Sequence, residues 1–389
     1  MTTLATPLSR AALQLDTPPP SIVHLGLGNF QRAHQAWYTE HAADRADWGI
    51  AGFAVRSADL AHRLAAQDGL YSLIERGPAA DSVSIIGSLV EAHAGDSPRL
   101  GELMAAPATA VVTLTITEAG YRLDATPPLA LSRLVAGLEA RRLARGGPLA
   151  VVSCDNLPAN GAATRRAVLG LATALDRSLA GWIDENVSFV STSVDRITPH
   201  LPDAELAALR TASGWDDAAP VVTEPFSDWV LQGDFPGGRP QWEAAGARFV
   251  DDVEPFERRK LWLLNGAHTI LAASGPGRGH QTVAAAFADP YCRDLVDGFW
   301  REAERHLDVP ALDIPNYLAQ LHDRFANTRI AHHLTDIADQ APAKVRVRLL
   351  PVLQAERGAG RTGAATLRAL ADAPELLAIL TFSAPEGTP

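Results

Sequence analysis

Short apolar runs rich in β-branched residues recur along the first part of the chain, and stretches with helix-like composition lie between most of them. The segment Thr17-Pro-Pro-Pro20 closes an N-terminal arm, and Ser21-Ile-Val-His-Leu25 then reads as a short buried strand. Gly26-Leu-Gly28-Asn-Phe30 follows at once, and Arg32 to Ala43 has the length and composition of a helix. A second strand is predicted at Gly49 to Val55, the distance expected of a βαβ unit. Further strand-like runs lie at Ser82 to Leu89, Ala110 to Thr117, Leu149 to Ser153 and Val187 to Thr192. This alternation predicts an α/β fold with a doubly wound parallel sheet, rather than a sandwich or barrel. From Pro255 onward the composition is helical, with Pro and Gly breaks near 275, 310 and 358 and no convincing strand. A short extended segment, Ala247 to Val253, marks the predicted boundary. Residues 1–247 form the first domain and 248–389 a mainly α-helical second one.

The chain's 389 residues exceed what one core usually holds, in keeping with two domains. Its 34 Lys plus Arg against 45 Asp plus Glu give a net charge of −11, so no basic field awaits nucleic acid. Only two cysteines, Cys154 and Cys292, are present, too few for a disulfide framework or a Cys-rich zinc site; a reducing cytoplasm fits best. The N-terminus lacks the basic and apolar regions of a secretory signal, and no run approaches the length of a membrane span.

The strand, glycine turn and helix around Gly26 and Gly28 form an arrangement in which backbone amides approach a pyrophosphate closely. Gln31 stands where the full dinucleotide fingerprint has its third glycine, so a tight βα turn without a ligand is the competing reading. After the second strand, Ala54-Val55-Arg56-Ser57 lacks the acid that binds a ribose diol. Arg56 with Ser57 suits a 2′-phosphate instead, Asp59 is a displaced carboxylate, and a solvated Arg56 is equally compatible. NAD and NADP both stay open. Asn156 comes first after the strand ending at Ser153, where a side-chain amide can reach a substrate oxygen, whereas Asn160 reads as a helix cap.

The segment Pro255 to Thr269 is the most informative. At about 100° per residue, His268 lies about 80° and Asn265 about 140° from Lys260, so the three share one side of a helix. Singly they read as a surface lysine, a capping asparagine and a satisfied histidine; as a set flanked by Leu261, Leu263 and Leu264 they do not. Burial and cationic neighbours, with Arg258 and Arg259 as candidates, would let Lys260 lose its proton near neutral pH and act as a general base. No zinc motif, phosphate loop or nucleophile elbow occurs, and adjacent His332 and His333 would diverge on a helix.

Together these motifs resemble the polyol-specific long-chain dehydrogenases, typified by mannitol 2-dehydrogenase and the mannonate oxidoreductases or fructuronate reductases. The matching segments are Gly26 to His34, Gln67 to Tyr71, Thr115 to Tyr121, Ser153 to Asn156, Ser193 to Pro199 and Lys260 to His268, in order. The resemblance implies a Rossmann-like N-terminal domain binding NAD or NADP, a helical C-terminal domain enclosing an open-chain sugar, and no metal. It implies Lys260 as the general base, Asn156 and Asn265 as amides stabilising the reacting oxygen, and His268 as a ligand of a substrate hydroxyl. Asp195 and Lys344 match substrate-side positions, Glu118 and Glu257 match carboxylates conducting the lysine's proton, and Gly26, Gly28, Phe30 and Arg32 would line the cofactor phosphates.

Departures begin after residue 325. Asn327-Thr328 replaces the family's usual Asn-Pro, Gln340-Ala341-Pro342 replaces an Asp-Gly-Ser type segment, and Asp336 aligns with a substrate-binding Arg or Gln. The C-terminal region is also short for the family. The implied reaction interconverts a polyol or aldonate with its ketose or keto-sugar acid, mannitol with fructose first and mannonate with fructuronate second. Asn265-Gly266 leans towards the sugar-acid members, whereas Asp336 would repel a carboxylate. A mannitol-1-phosphate dehydrogenase would need a cationic pocket, for which Arg346 and Arg348 near Lys344 are the candidates, and a catalytically inactive cofactor-binding regulator is the alternative of another class. The expected partner is a small sugar or polyol, without nucleic acid or membrane, for a cytoplasmic monomer or small homo-oligomer.

Overall fold

The computed structural model describes residues 6–123, 127–338 and 341–371, and Gln340 of the altered C-terminal segment lies outside them. The chain divides into two compact units, one of residues 1–76 with 80–253 and the other of 77–79 with 254–389. No helix among the described residues is long and apolar enough to cross a membrane.

An eight-stranded sheet organises the first unit, in the order Arg248–Phe249, Asp228–Gln232, Val187–Asp195, Leu149–Ser153, Val111–Leu114, Pro20–Leu25, Gly49–Phe53, Leu89–His93. All pairs are parallel except Asp228–Gln232 against Val187–Asp195. Ile22, Ile50, Val111 and Val152 face one buried cluster, while Val23, Ala51, Val112 and Val151 face another. Burial on both faces is why these strands are unbroken apolar runs and not alternating patterns. The chain leaves Pro20–Leu25 towards Gly49–Phe53 and returns on its other side at Val111–Leu114. That reversal is the switch point at whose carboxyl edge open α/β sheets bind ligands. Gly26 and Thr115 stand there.

Two expectations change in this unit. The helix expected over Arg32 to Ala43 is two, Asn29–Ala33 and Gln35–Glu40, broken at His34 with φ −121° and ψ −83°. The His34 ring is buried, stacking on Phe30 at 4.9 Å while Nε2 meets the Asp228 carbonyl at 3.1 Å, and the backbone bends to hold it. The single strand expected over Ser82 to Leu89 is divided at Gly87, whose N–H donates to Glu40 at 2.7 Å. Asp81–Ile86 pairs antiparallel with Tyr71–Arg76 in a separate three-stranded sheet completed by Val221–Thr223, and only Leu89–His93 joins the main sheet.

The second unit is helical, and its described residues hold no strand beyond an isolated bridge between Thr282 and His333. Pro290–Ala303 and Ile314–Ala326 bury Phe299, Trp300, Leu321 and Phe325, and Phe287 meets Phe325 edge to face at 5.3 Å. Against this aromatic core runs a continuous helical rod of Glu254–Arg259, Lys260–Gly266 and Ala267–Ser274.

Candidate active site

At the switch point the backbone turns sharply through Gly26, at φ +113°, whose N–H donates to the Phe53 carbonyl at 3.0 Å. A Cβ here would lie 2.1 Å from the Thr115 carbonyl oxygen, so glycine is required. The turn is pinned from below by a buried polar chain. His24, inside the sheet, meets Thr113 Oγ1 at 2.7 Å and Thr115 Oγ1 at 3.0 Å, and Thr115 donates onward to the Gly26 carbonyl at 2.9 Å. Burial lowers the His24 pKa to about 3, so the ring is neutral at physiological pH.

Gly28 differs: it is extended, and its missing side chain would meet nothing nearer than the Gly26 carbonyl at 3.5 Å. It lines a cavity of about 630 Å³ in the first unit together with Asn29, Arg32, Arg63, Thr198 and His200. Arg32 is buried. Its guanidinium donates to the carbonyls of Gly28 and Ala219 and to Asn29 Oδ1, and lies 5.1 Å over the Tyr71 ring, so it holds the turn in shape. Phe30 is half-buried against His34. Two polar groups stand without partners: the fully buried Gln31 amide and the Thr198 hydroxyl at the cavity. An open cradle at Gly28, amides turned by Gly26 and orphaned donors beside it fit a dinucleotide phosphate. Arg56 is exposed beyond Phe53, and the neighbouring Ser57 hydroxyl donates to Asp59 at 2.8 Å.

Sequence reasoning missed Asp155, which organises the next strand end. Buried, it accepts from the N–H groups of Ile116 at 3.0 Å and Thr117 at 2.7 Å and from the Tyr121 hydroxyl at 2.6 Å. Thr117 is thereby held at φ +65°, a conformation rare for a β-branched residue. Glu118, next in sequence, is exposed and pairs with Arg122 at 3.2 Å. Asn156 is exposed just past Leu149–Ser153, and Asp195 is buried as the last residue of its strand. Asn160 is no cap: its amide donates to the carbonyls of Asp155 and Thr192 and accepts from Thr192 N–H, stitching two strands.

In the second unit the α-helical spacing expected for Lys260 to His268 is replaced by a π-helix over Lys260–Gly266. Its i→i+5 bonding widens the turn, so residues five apart, Lys260 and Asn265, stand more nearly above one another than on an α-helix. Carbonyls loosened by this geometry find other donors: Trp300 Nε1 reaches Leu263 O at 2.7 Å, and Thr269 Oγ1 and Arg348 reach Asn265 O at 3.0 and 3.4 Å. Gly266 lets Phe299 pack where a Cβ would come within 2.6 Å of the ring. Lys260, Asn265 and Glu257 are half-buried and His268 is buried. Burial, then the charges of His332, Arg324, Arg348 and Lys260, hold the His268 pKa well below its ordinary value. The cations acting on His268 are therefore Arg324, Arg348 and Lys260. The expected neighbours are engaged elsewhere: Arg258 pairs with Glu254, and Arg259 lies 4.0 Å over Tyr317 and donates to Leu312 O at 2.7 Å. Lys344 donates to Ile337 O at 2.9 Å, and Asp336 is exposed. Among the described residues no group of three or more His, Cys, Asp or Glu could hold a metal.

Two family models span nearly all of this architecture. The mannitol dehydrogenase Rossmann domain matches residues 20–244, and the mannitol dehydrogenase C-terminal domain matches 252–372. The chain belongs to the mannitol dehydrogenase family. It is 39% identical over 344 residues to mannitol 2-dehydrogenase of Cereibacter sphaeroides, covering 80% of this chain and 71% of that one. Against D-mannonate oxidoreductase of Escherichia coli it is 37% identical, covering 88% of this chain and 77% of the relative. The Pseudomonas fluorescens mannitol 2-dehydrogenase ternary complex with NAD and D-mannitol superposes with a TM-score of 0.81 at 34% identity, over 99% of this chain and 84% of that chain. The sequence reading of an NAD- or NADP-dependent polyol oxidoreductase with a Rossmann domain and a helical C-terminal domain agrees with membership of the mannitol dehydrogenase family.

Proposed function

We propose that this protein interconverts an open-chain polyol and its ketose with NAD or NADP, mannitol and fructose first, with Lys260 as the proton-transferring group. The observation that carries the chemistry is the π-helical turn that starts at Lys260, reaches Asn265 and leads to a buried His268 in the helix beyond. π-turns of this kind concentrate at functional sites.

Bound nicotinamide cofactor supplies the redox partner for the carbinol carbon. The Gly26 and Gly28 turn, with Phe30 at its edge, would carry the pyrophosphate, and Arg32 would act by bracing that turn through the Gly28 carbonyl. Arg56, exposed past the second strand, is the residue that would distinguish a 2′-phosphate. In oxidation Lys260 takes the hydroxyl proton; in reduction it returns one. Asn265 and Asn156 donate amide hydrogens to the reacting oxygen, fixed donors that need little reorganisation as charge develops. No described residue partners the Asn265 amide, which suits that task. His268 holds a substrate hydroxyl, Asp195 and Lys344 act on the substrate side, and Glu118 and Glu257 pass the lysine's proton to water. Two buried cysteines that form no disulfide support a reducing cytoplasmic setting.

Mannonate and fructuronate form the second reading, supported by the mannonate oxidoreductase relative and by the exposure of Asp336. A phosphorylated substrate is the third reading, resting on Arg348, which turns inward to Thr269 Oγ1 at 3.1 Å, whereas Arg346 is exposed. Absorbance assays with NADH or NADPH against a panel of ketoses and keto-sugar acids test the activity. Lys260→Ala should lower kcat by about 10²- to 10⁴-fold while dinucleotide still binds in a fluorescence titration. Retained turnover at neutral pH would remove Lys260 from the reaction.

A further inference from the structure

Two imidazoles in the second unit, the buried His268 and the half-buried His332, pack against one another, each with a ring nitrogen that has no hydrogen-bonding partner among the described residues. His268 is 7% exposed and its Nε2 is orphaned; His332 Nδ1 is orphaned likewise. Their rings meet edge to face, with centroids 4.8 Å apart and planes at 80°, and Phe325 packs on His268 at 4.9 Å. His333, by contrast, is exposed at the bridge to Thr282. Buried polar atoms are almost always satisfied, so a pair left open marks a place where something else supplies the bonds.

The surroundings decide what that something is. Arg324, Arg348 and Lys260 act on His268, and burial disfavours a charge on His332 despite nearby Asp336, so both rings are neutral. A neutral imidazole offers one donor and one acceptor. A hydroxyl, donor and acceptor at once, complements either tautomer of the ring, whereas a carboxylate accepts only and is confined to a protonated nitrogen. We infer that His332, together with His268, holds two neighbouring hydroxyls of the open-chain substrate, which makes His332 a specificity-determining residue. This rests on the polyol reading given above.

The test uses the full chain with NAD or NADP, an alditol, the set of its deoxy analogues lacking one hydroxyl each, and the matching aldonate. On the alditol, His332→Ala should lower kcat/KM about tenfold or more, chiefly through KM. On the one analogue missing the hydroxyl that His332 holds, the same substitution should cost nothing further, and the unsubstituted protein should already show the loss. His332→Asn, which keeps a donor and an acceptor near Nδ1, should recover part of the activity. An equal loss on every analogue, or none on any, would overturn the inference and leave the site to a buried water or to packing. A larger loss on the aldonate would overturn it in favour of a carboxylate ligand. Should His332→Ala fail to fold, the unsubstituted protein and His332→Asn across the deoxy series still decide. Absence of turnover on every polyol and ketose by the unsubstituted protein would sink the polyol reading itself, a result obtained without any variant.

Discussion

Acidification should unfold this protein through His24. The imidazole sits inside the parallel sheet between Thr113 and Thr115, wholly buried, and its pKa falls from 6.5 to about 3. In the unfolded chain the same ring takes up a proton below about pH 6.5, so unfolding binds a proton and acid favours it. The stability His24 confers is complete above that value and is lost as pH falls towards 3. Each pH unit in that window costs about 1.36 kcal/mol, so lowering the pH to about 5 costs about 2 kcal/mol, and the full window about 5 kcal/mol. The 2 kcal/mol figure barely changes if the folded value is a unit higher. Urea titrations of the parent and His24→Asn, followed by tryptophan fluorescence at about pH 7.5 and 5, isolate the effect, because His268 and His332 are common to both. The parent should lose about 2 kcal/mol more than the variant across that interval. Parallel pH profiles for the two would refute a neutral, buried His24. The variant should also bind dinucleotide more weakly, since Thr115 would no longer be oriented towards the Gly26 carbonyl.

The two glycines of the turn should separate fold from binding. Gly26→Ala places a Cβ against the Thr115 carbonyl and should yield little folded protein, whereas Gly28→Ala should melt normally in calorimetry yet weaken dinucleotide binding by narrowing the cavity. Asp155→Ala leaves the Ile116 and Thr117 amides and the Tyr121 hydroxyl unsatisfied, costing about 3 kcal/mol and lowering the thermal midpoint by about 6–12 °C. An unchanged midpoint would mean that water replaces the carboxylate there.

The strand, turn and helix at the switch point were legible because a sheet covered on both faces writes itself as continuous apolar runs around glycine. The break at His34 was not, since it depends on Asp228, far away in sequence, receiving the ring. Asp155 escaped notice because an acid after a strand looks like any loop residue until the amides it accepts are assembled. Lys260, Asn265 and His268 stand out in the sequence as a proposed set, but the π-turn that carries the first two is not legible there. Arg258 pairs with Glu254 and Arg259 stacks over Tyr317, while Arg324 and Arg348, distant in sequence, act on His268 once the helices fold together. His332 was visible only as half of a His-His pair, and tertiary packing alone separates a half-buried ring from an exposed one.

The π-turn makes chain length, and not residue identity alone, an inherited part of this protein's chemistry. Its seven residues carry Lys260 at one end and Gly266 at the other, with His268 in the α-helix beyond. Relaxing the turn to α geometry would keep every side chain and yet swing His268 around the rod relative to the lysine. Along this stretch, gain or loss of a single codon is thus a more drastic change than most replacements, and kinship judged by matching residues alone would not register it.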